Sequence, residues 1–303
     1  MLITGANAGI GKEVARQMAL RPDTARIYLA CRNQDRAKAA KLELEAATGR
    51  SIFDIVIMDV ADPDSVRAGV AGIDGSIDAL VMNAGTTGGK TPTALTADGV
   101  TTVFASNLLG HVVLLEALLA EGRLGDVAVY VASEAARGIP KMRMPRPSFA
   151  STSADELATV IDGSFFGGKK APGILPFGQV KYLGALWMAY LARQHPDHRF
   201  ITVSPGNTTG TQAPDDLALP FRLAARYVMP HLGISHPLDV GSRRLVDAAT
   251  DSTLTSGVFY ASAANTITGP LVNQADIFPD LANPTFQDHA NEAIHRFITL
   301  DAR

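Results

Sequence analysis

Residues 2–11 read Leu2-Ile3-Thr4-Gly5-Ala6-Asn7-Ala8-Gly9-Ile10-Gly11. A short apolar run ends in Thr4-Gly5, and a helical pattern follows over 10–20 until Pro22 stops it. Glycine at 5, 9 and 11 permits a tight turn and close backbone approach between strand and helix. The helix then begins with free N–H groups and the positive end of its dipole, which together favour a pyrophosphate.

Outward from this turn, short apolar runs alternate with helical patterns. Strands are expected at 26–31, 53–58, 77–82, 127–132 and 200–203, with a further one at 257–261. Helices are expected at 35–48, 101–121, 180–194 and 286–300, and Asp59 to Asp64 supplies turn chemistry. This alternation predicts an α/β fold: one Rossmann-type doubly wound parallel sheet of about seven strands, with helices on both faces. No linker or composition shift divides residues 1–303, so a single domain is expected. Two stretches break the rhythm. Residues 135–176, with a short helical piece at 154–161, read as an inserted lid or substrate loop. Residues 212–237, with an amphipathic core at 219–229, read as a second substrate-side excursion.

Composition narrows the function. The 303 residues carry 27 Lys+Arg against 30 Asp+Glu, a formal charge of −3, so no nucleic-acid partner is expected. At 47% apolar and 19% charged, the chain can bury a large core. Cys31 is the one cysteine, which excludes an internal disulfide and a cysteine-based zinc site; no metal is expected. No signal peptide is visible, and the longest apolar stretch, near 111–120, is interrupted by Glu116, so no membrane span is expected. A soluble, cytoplasmic protein is the expectation.

The strand ends carry the candidate site. Cys31-Arg32-Asn33 closes the second strand, where an NAD site would hold its ribose with an acidic residue; an arginine fork there suits the 2′-phosphate of NADP(H). Lys12 could add positive charge nearby. Asp59-Val60 is placed to cover the adenine, and Asn83-Ala84-Gly85 to pass close to the ribose. Successive strand ends of this kind mark the crevice where such sheets bind ligands.

These residues, with Asn107 in the segment Asn107-Leu108-Leu109-Gly110-His111, Ser133, Lys181, Pro205-Gly206 and Thr208, resemble the short-chain dehydrogenase/reductases over nearly the whole chain. Within that family the chain is similar to the protochlorophyllide-reductase-like and retinol-dehydrogenase-like members. The shared features are Ala30-Cys31-Arg32, Ile161-Asp162-Gly163, the long gap after Ser133, and the stretch 254–260. The resemblance implies NADP(H) as cofactor, bound by Gly5, Asn7, Ala8, Gly9, Ile10, Gly11, Arg32, Asn33, Asp59, Val60, Asn83, Ala84, Gly85, Lys181, Pro205, Gly206 and Thr208. It also implies a catalytic tetrad of Asn, Ser, Tyr and Lys. Asn107, Ser133 and Lys181 match, but the tyrosine position, four before the lysine, holds Phe177. Phe177 keeps the ring and loses the hydroxyl, so it cannot pass a proton.

Candidate substitutes are Tyr182, Glu134, His111, Lys169 and Lys170, or a water or substrate hydroxyl. Tyr182 lies about 100° around the helix from Lys181, and His111 shares the helix face of Asn107. Met142, Met144, Phe149, Phe165, Phe166, Trp187 and Met188 could line an apolar pocket, and residues 141–146 could hold a carboxylate. The expected activity is NADPH-dependent reduction of a small apolar carbonyl or conjugated substrate with altered proton transfer. A catalytically silent NADP(H)-binding module stays open, as does a light-dependent C=C reductase. The resemblance further allows a homodimer through 101–121 and 180–194.

Overall fold

The computed structural model describes residues 1–142, 144–167, 174–209 and 235–298. Its strands are β1 (Leu2–Thr4), β2 (Ile27–Cys31), β3 (Phe53–Ile57), β4 (Ile77–Met82), β5 (Leu124–Val131), β6 (Arg199–Val203), β7 (Phe259–Ser262) and β8 (Leu271–Asn273). They form one sheet in the order β3-β2-β1-β4-β5-β6-β7-β8. Neighbours from β3 to β7 pair in parallel, and β8 returns antiparallel to β7. The chain therefore changes direction across the sheet between β1 and β4. That switch point opens a crevice beyond the carboxyl ends of the strands.

The helices are α1 (Gly9–Ala19), α2 (Gln34–Thr48), α3 (Pro63–Ala71), α4 (Thr102–Ala120), α5 (Ala154–Ile161), α6 (Ile174–Gln194), α7 (Leu238–Thr250) and α8 (Pro284–His295). Successive strand residues point to opposite faces, so one apolar strand feeds two cores. Leu2, Leu80 and Tyr130 join a cluster with residues of α3, α4, α5, α6 and α8. Ile3, Val81 and Val129 join a second cluster with residues of α1, α2 and α7. β1 and β2 are buried along their full lengths, which is why they read as uninterrupted apolar runs.

The fold class agrees with the sequence reading, with eight strands where about seven are expected. The extra strand, β8, is three residues long and too short to give a pattern. Two helices escape the sequence reading. In α3, Asp62 caps the N-terminus through Asp64 N and Ser65 N, and Pro63 follows as the first helical residue. What reads as turn chemistry is a helix start. In α7 the buried face has a helical period, but Leu245 and Val246 are its only large apolar residues, beside the buried Arg244. The helix α6 begins at Ile174, six residues before the expected start at 180, and so carries Phe177 and Lys181 one turn apart. Of the two excursions, 143, 168–173 and 210–234 lie outside the described residues, and with them the expected helical core at 219–229.

The expectation of no membrane-spanning stretch needs correction in one respect. Thr102–Ala120 is long and apolar enough to cross a bilayer by length and composition. In the fold 72% of it is buried inside the protein, and Glu116 pairs with His295 at 2.9 Å. The helices allowed as a dimer face are also covered from within the chain. Residues 178–189 of α6 are buried, with α5 and α8 packed on them.

Gly184 lets α6 lie directly on β5. A Cβ built there falls inside the contact surface of the buried Tyr130 ring, whose hydroxyl donates to Asn107 O. We expect Gly184→Ala to lower the unfolding free energy by about 1–3 kcal/mol through overpacking. Denaturant melts check this, and an unchanged midpoint would contradict the packing described.

Candidate active site

The glycine turn divides its labour. Gly5 and Gly9 adopt positive φ (66° and 52°), which only glycine does without cost. Gly11 lies against the Gly5 carbonyl and the Asn83 amide with no room for a side chain. It therefore sets the packing of α1 and does not line the crevice, contrary to its expected ligand role. Ala8, at the N-cap of α1, supplies no capping side chain, and no acidic residue occupies the first turn. The helix start is thus left open to an anion.

One cavity of about 910 Å³ runs across the strand ends. Gly5, Asn7, Ala8, Gly9 and Ile10 line it at the α1 end, and Arg32, Asp59 and Val60 beyond β2 and β3. Asn33 does not line it. Its side chain caps α2 by accepting from Arg36 N at 2.9 Å. Arg36, which the sequence reading passed over, does line it; it stands one helical turn after Arg32. Among the described residues neither guanidinium is paired with a carboxylate. Lys12 pairs with Glu43 on the exterior and stays outside the cavity. Burial pushes the Cys31 thiol up to about 11 and keeps it neutral.

At the β4 end the backbone is tied to β1. Asn83 Nδ2 donates to Thr4 O, and Ala84 N to Thr4 Oγ1, both at 2.9 Å. Thr4 Oγ1 also meets His111 Nε2 at 3.0 Å, and His111 Nδ1 meets Asn107 O at 3.1 Å. A carbonyl can only accept, so Nδ1 carries the proton and the threonine hydroxyl donates to Nε2. His111 is buried outside the cavity. Burial, then the nearby Lys181 charge, holds its imidazole down at about 3. It is a neutral brace and not an acid.

Asn107 sits in a π-helical turn, Ala105–Leu109, inside α4. Such turns often mark functional positions. Its amide nitrogen donates to Thr86 O at 2.6 Å and Val103 O at 2.8 Å, while its buried Oδ1 finds no partner. Gly85 passes so close that a Cβ there would strike this oxygen.

Ser133, Phe177 and Lys181 line the far end of the same cavity, with Ala132, Met144 and Ile174. Ser133 Oγ accepts from Ala135 N at 3.2 Å. Lys181 Nζ donates to Val131 O at 2.8 Å and lies 4.8 Å from the Tyr130 ring centre and 5.6 Å from that of Phe177. It has no carboxylate partner among the described residues, and burial pushes this ammonium down to about 7. Pro205, Gly206 and Thr208 line the cavity after β6, together with Asn207.

The candidate substitutes for a phenol separate clearly. Tyr182 is buried away from the cavity, stacked between Phe149 and Phe278 at 5.9 and 5.3 Å. Glu134 reaches the cavity wall but accepts from Ser204 Oγ at 2.6 Å and Ser262 N at 3.2 Å, beside Arg244 at 3.9 Å. Instead of a free loop carboxylate it is a clamp joining the β5, β6 and β7 ends. Lys169, Lys170 and Arg143 lie outside the described residues. Of the proposed apolar lining, Met144 is at the wall, Trp187 and Met188 are in the core, and Phe149, Phe165 and Phe166 pack against that core. Met142 is exposed. No cluster of metal-binding side chains occurs among the described residues.

Residues 1–144 match the family model described as short chain dehydrogenase. Over that stretch, just under half of its length, the chain is similar to the short-chain dehydrogenases. Among curated relatives, bovine retinol dehydrogenase 12 is 40% identical over 131 residues, which cover 42% of this chain and 40% of that protein. Bovine dehydrogenase/reductase SDR family member 12 is 29% identical over 208 residues, covering 68% of this chain and 59% of that protein. The match to the retinol dehydrogenases thus spans about 40% of their length. Among solved structures, a Burkholderia cenocepacia short chain dehydrogenase in complex with NADP superposes with a TM-score of 0.62 at 22% identity, over 88% of this chain and 97% of that one. Gluconobacter frateurii L-sorbose reductase, complexed with NADPH and L-sorbose, gives 0.61 at 19% identity, over 89% and 96%.

The junction of Thr4, His111 and Asn107 has a testable signature. The folded chain holds His111 neutral, while the unfolded chain takes a proton near 6.5. The unfolded state therefore binds more protons between about 6.5 and 3, and stability is lost as pH falls through that window. Equilibrium unfolding of His111→Gln is expected to show lower stability at pH 7, by about 1 kcal/mol or more for the impaired junction, and a shallower acid loss than wild type. Parallel pH profiles would contradict a neutral buried His111.

Proposed function

We propose that the chain is an NADPH-dependent oxidoreductase acting on a small apolar carbonyl or conjugated substrate. The observation that carries this is the pair Arg32 and Arg36 at the end of β2, unpaired with any carboxylate among the described residues, in one cavity with Ser133 and Lys181. Two guanidinium forks can donate charge-assisted hydrogen bonds to a 2′-phosphate. The residues present fit the cofactor further along. The open N-terminus of α1 suits the pyrophosphate, and Lys181 retains two N–H bonds without an acceptor among the described residues. The NADP and NADPH complexes of the structural neighbours support the same reading.

When bound, the cofactor supplies a hydride. Lys181 holds the nicotinamide ribose, Ser133 orients the substrate oxygen, and Asn107 holds the α4 turn beside Gly85. Met144, Ile174 and Phe177 supply apolar wall around the reacting end. Phe177 favours a second reading, an NADP(H)-binding module without turnover.

Fluorescence titration with NADPH and NADH tests the assignment. Arg32→Ala is expected to weaken NADPH binding about tenfold or more, since charged hydrogen bonds contribute ~1.5–3 kcal/mol, and to leave NADH nearly unchanged. Equal losses for both cofactors would contradict it. Hydride transfer to any member of a ketone, aldehyde and quinone panel separates the enzyme from the silent module.

A further inference from the structure

Phe177 leaves the reacting end of the cavity without the family's hydroxyl, and the groups able to replace it can be counted. Among the described residues lining the cavity, the ionisable side chains are Cys31, Arg32, Arg36, Asp59, Glu134 and Lys181. The two arginines do not release protons in water. Asp59 lies with them beyond β2 and β3, where its carboxylate accepts from Ala61 N at 3.0 Å. Cys31 is buried at the same end. Glu134 is engaged by Ser204, Ser262 and Arg244.

Lys181 remains. It is on the same helix as Phe177, one turn on, with its nitrogen 5.6 Å from the centre of that ring. One N–H is directed to Val131 O, which fixes the nitrogen, and among the described residues no acceptor takes the other two. Every group packed around it is neutral or otherwise held. His111 on α4 is a neutral acceptor–donor brace, and the Tyr130 hydroxyl on β5 is buried and donates to Asn107 O. The negative charge on the loop after β5, Glu134, is balanced by Arg244.

We propose that the Lys181 ammonium supplies the proton that reaches the substrate oxygen, directly or over one water, in place of the missing phenol. This rests on the reading of the cavity as an NADPH site. In the step, the carbonyl carbon gains a hydride from the reduced nicotinamide, which is oxidised. The carbonyl oxygen gains the Lys181 proton to give the alcohol. The lysine becomes a neutral amine and is reprotonated from solvent. Burial prepares the group for this, because an ammonium held near 7 gives up its proton more readily than one at its ordinary value of 10.5.

The test uses the full chain in three forms: wild type, Lys181→Arg and Phe177→Tyr. First, NADPH affinity is measured by fluorescence. Loss of binding in wild type overturns the cofactor reading itself. Second, the Lys181 side-chain nitrogen is followed by NMR from pH 6 to 9, with and without NADP+, and assigned by its absence in Lys181→Arg. Third, single-turnover reduction of retinal, 4-nitrobenzaldehyde and 9,10-phenanthrenequinone is timed over the same range.

The expected result is a Lys181 titration near neutral pH in the NADP+ complex. The wild-type rate should fall tenfold per pH unit above it. Lys181→Arg should lose ~10²-fold or more in rate together with that pH dependence. Phe177→Tyr should be faster, with the fall displaced to higher pH. Cofactor binding with a lysine that stays charged up to pH 9 would overturn the proposal. So would an unchanged pH profile in Lys181→Arg, or no turnover of any probe by wild type.

Discussion

The hydroxyl of Thr4 stands where three parts of the fold meet. It accepts from the backbone of Ala84 after β4 and donates to His111 on α4, whose other nitrogen holds the carbonyl of Asn107. The two links of His111 are buried and the one to Ala84 is half-buried, and an unmade hydrogen bond away from water is costly. The glycine turn that follows Thr4, the ribose-facing loop after β4 and the π turn of α4 cannot shift independently. The crevice keeps its shape because its walls share this junction.

The cavity inherits its polarity from the same arrangement. At one end the open N-terminus of α1 and the arginines beyond β2 make a positive cradle. At the other, Lys181 lies beside aromatic rings and donates to the Val131 carbonyl, its one hydrogen-bond partner among the described residues. Ordinary surface lysines stay charged because water solvates them. Burial pushes this one down to about 7, because a single carbonyl does not replace the water that is lost. On the remaining side Glu134 lines the cavity and ties the strand ends together through Ser204, Ser262 and Arg244.

Much of this was legible in the residues themselves. The parallel sheet follows from strands such as 27–31 and 77–82, apolar on both faces, and the strand-end positions Arg32, Asp59, Asn83 and Ser133 do meet in one cavity. Gly11 and Asn33 belong to the same motifs but serve packing and capping, a distinction only three-dimensional contact reveals. Arg36 was hidden because a helical arginine after a cap looks solvated. The roles of His111 and Glu134 were equally closed to sequence, since each depends on partners up to 128 positions away. α7 was missed because its buried face carries only two large apolar residues, Leu245 and Val246.

The account's central claim is that this crevice binds NADP(H) with its reactive end beside Phe177 and Lys181. The most direct measurement is a crystal structure of the chain with NADP+. The account predicts the 2′-phosphate between Arg32 and Arg36, the pyrophosphate at the start of α1, and the nicotinamide ribose on Lys181. A 2′-phosphate that touches neither arginine, or a nicotinamide lying away from the wall of Ser133, Phe177 and Lys181, would contradict it.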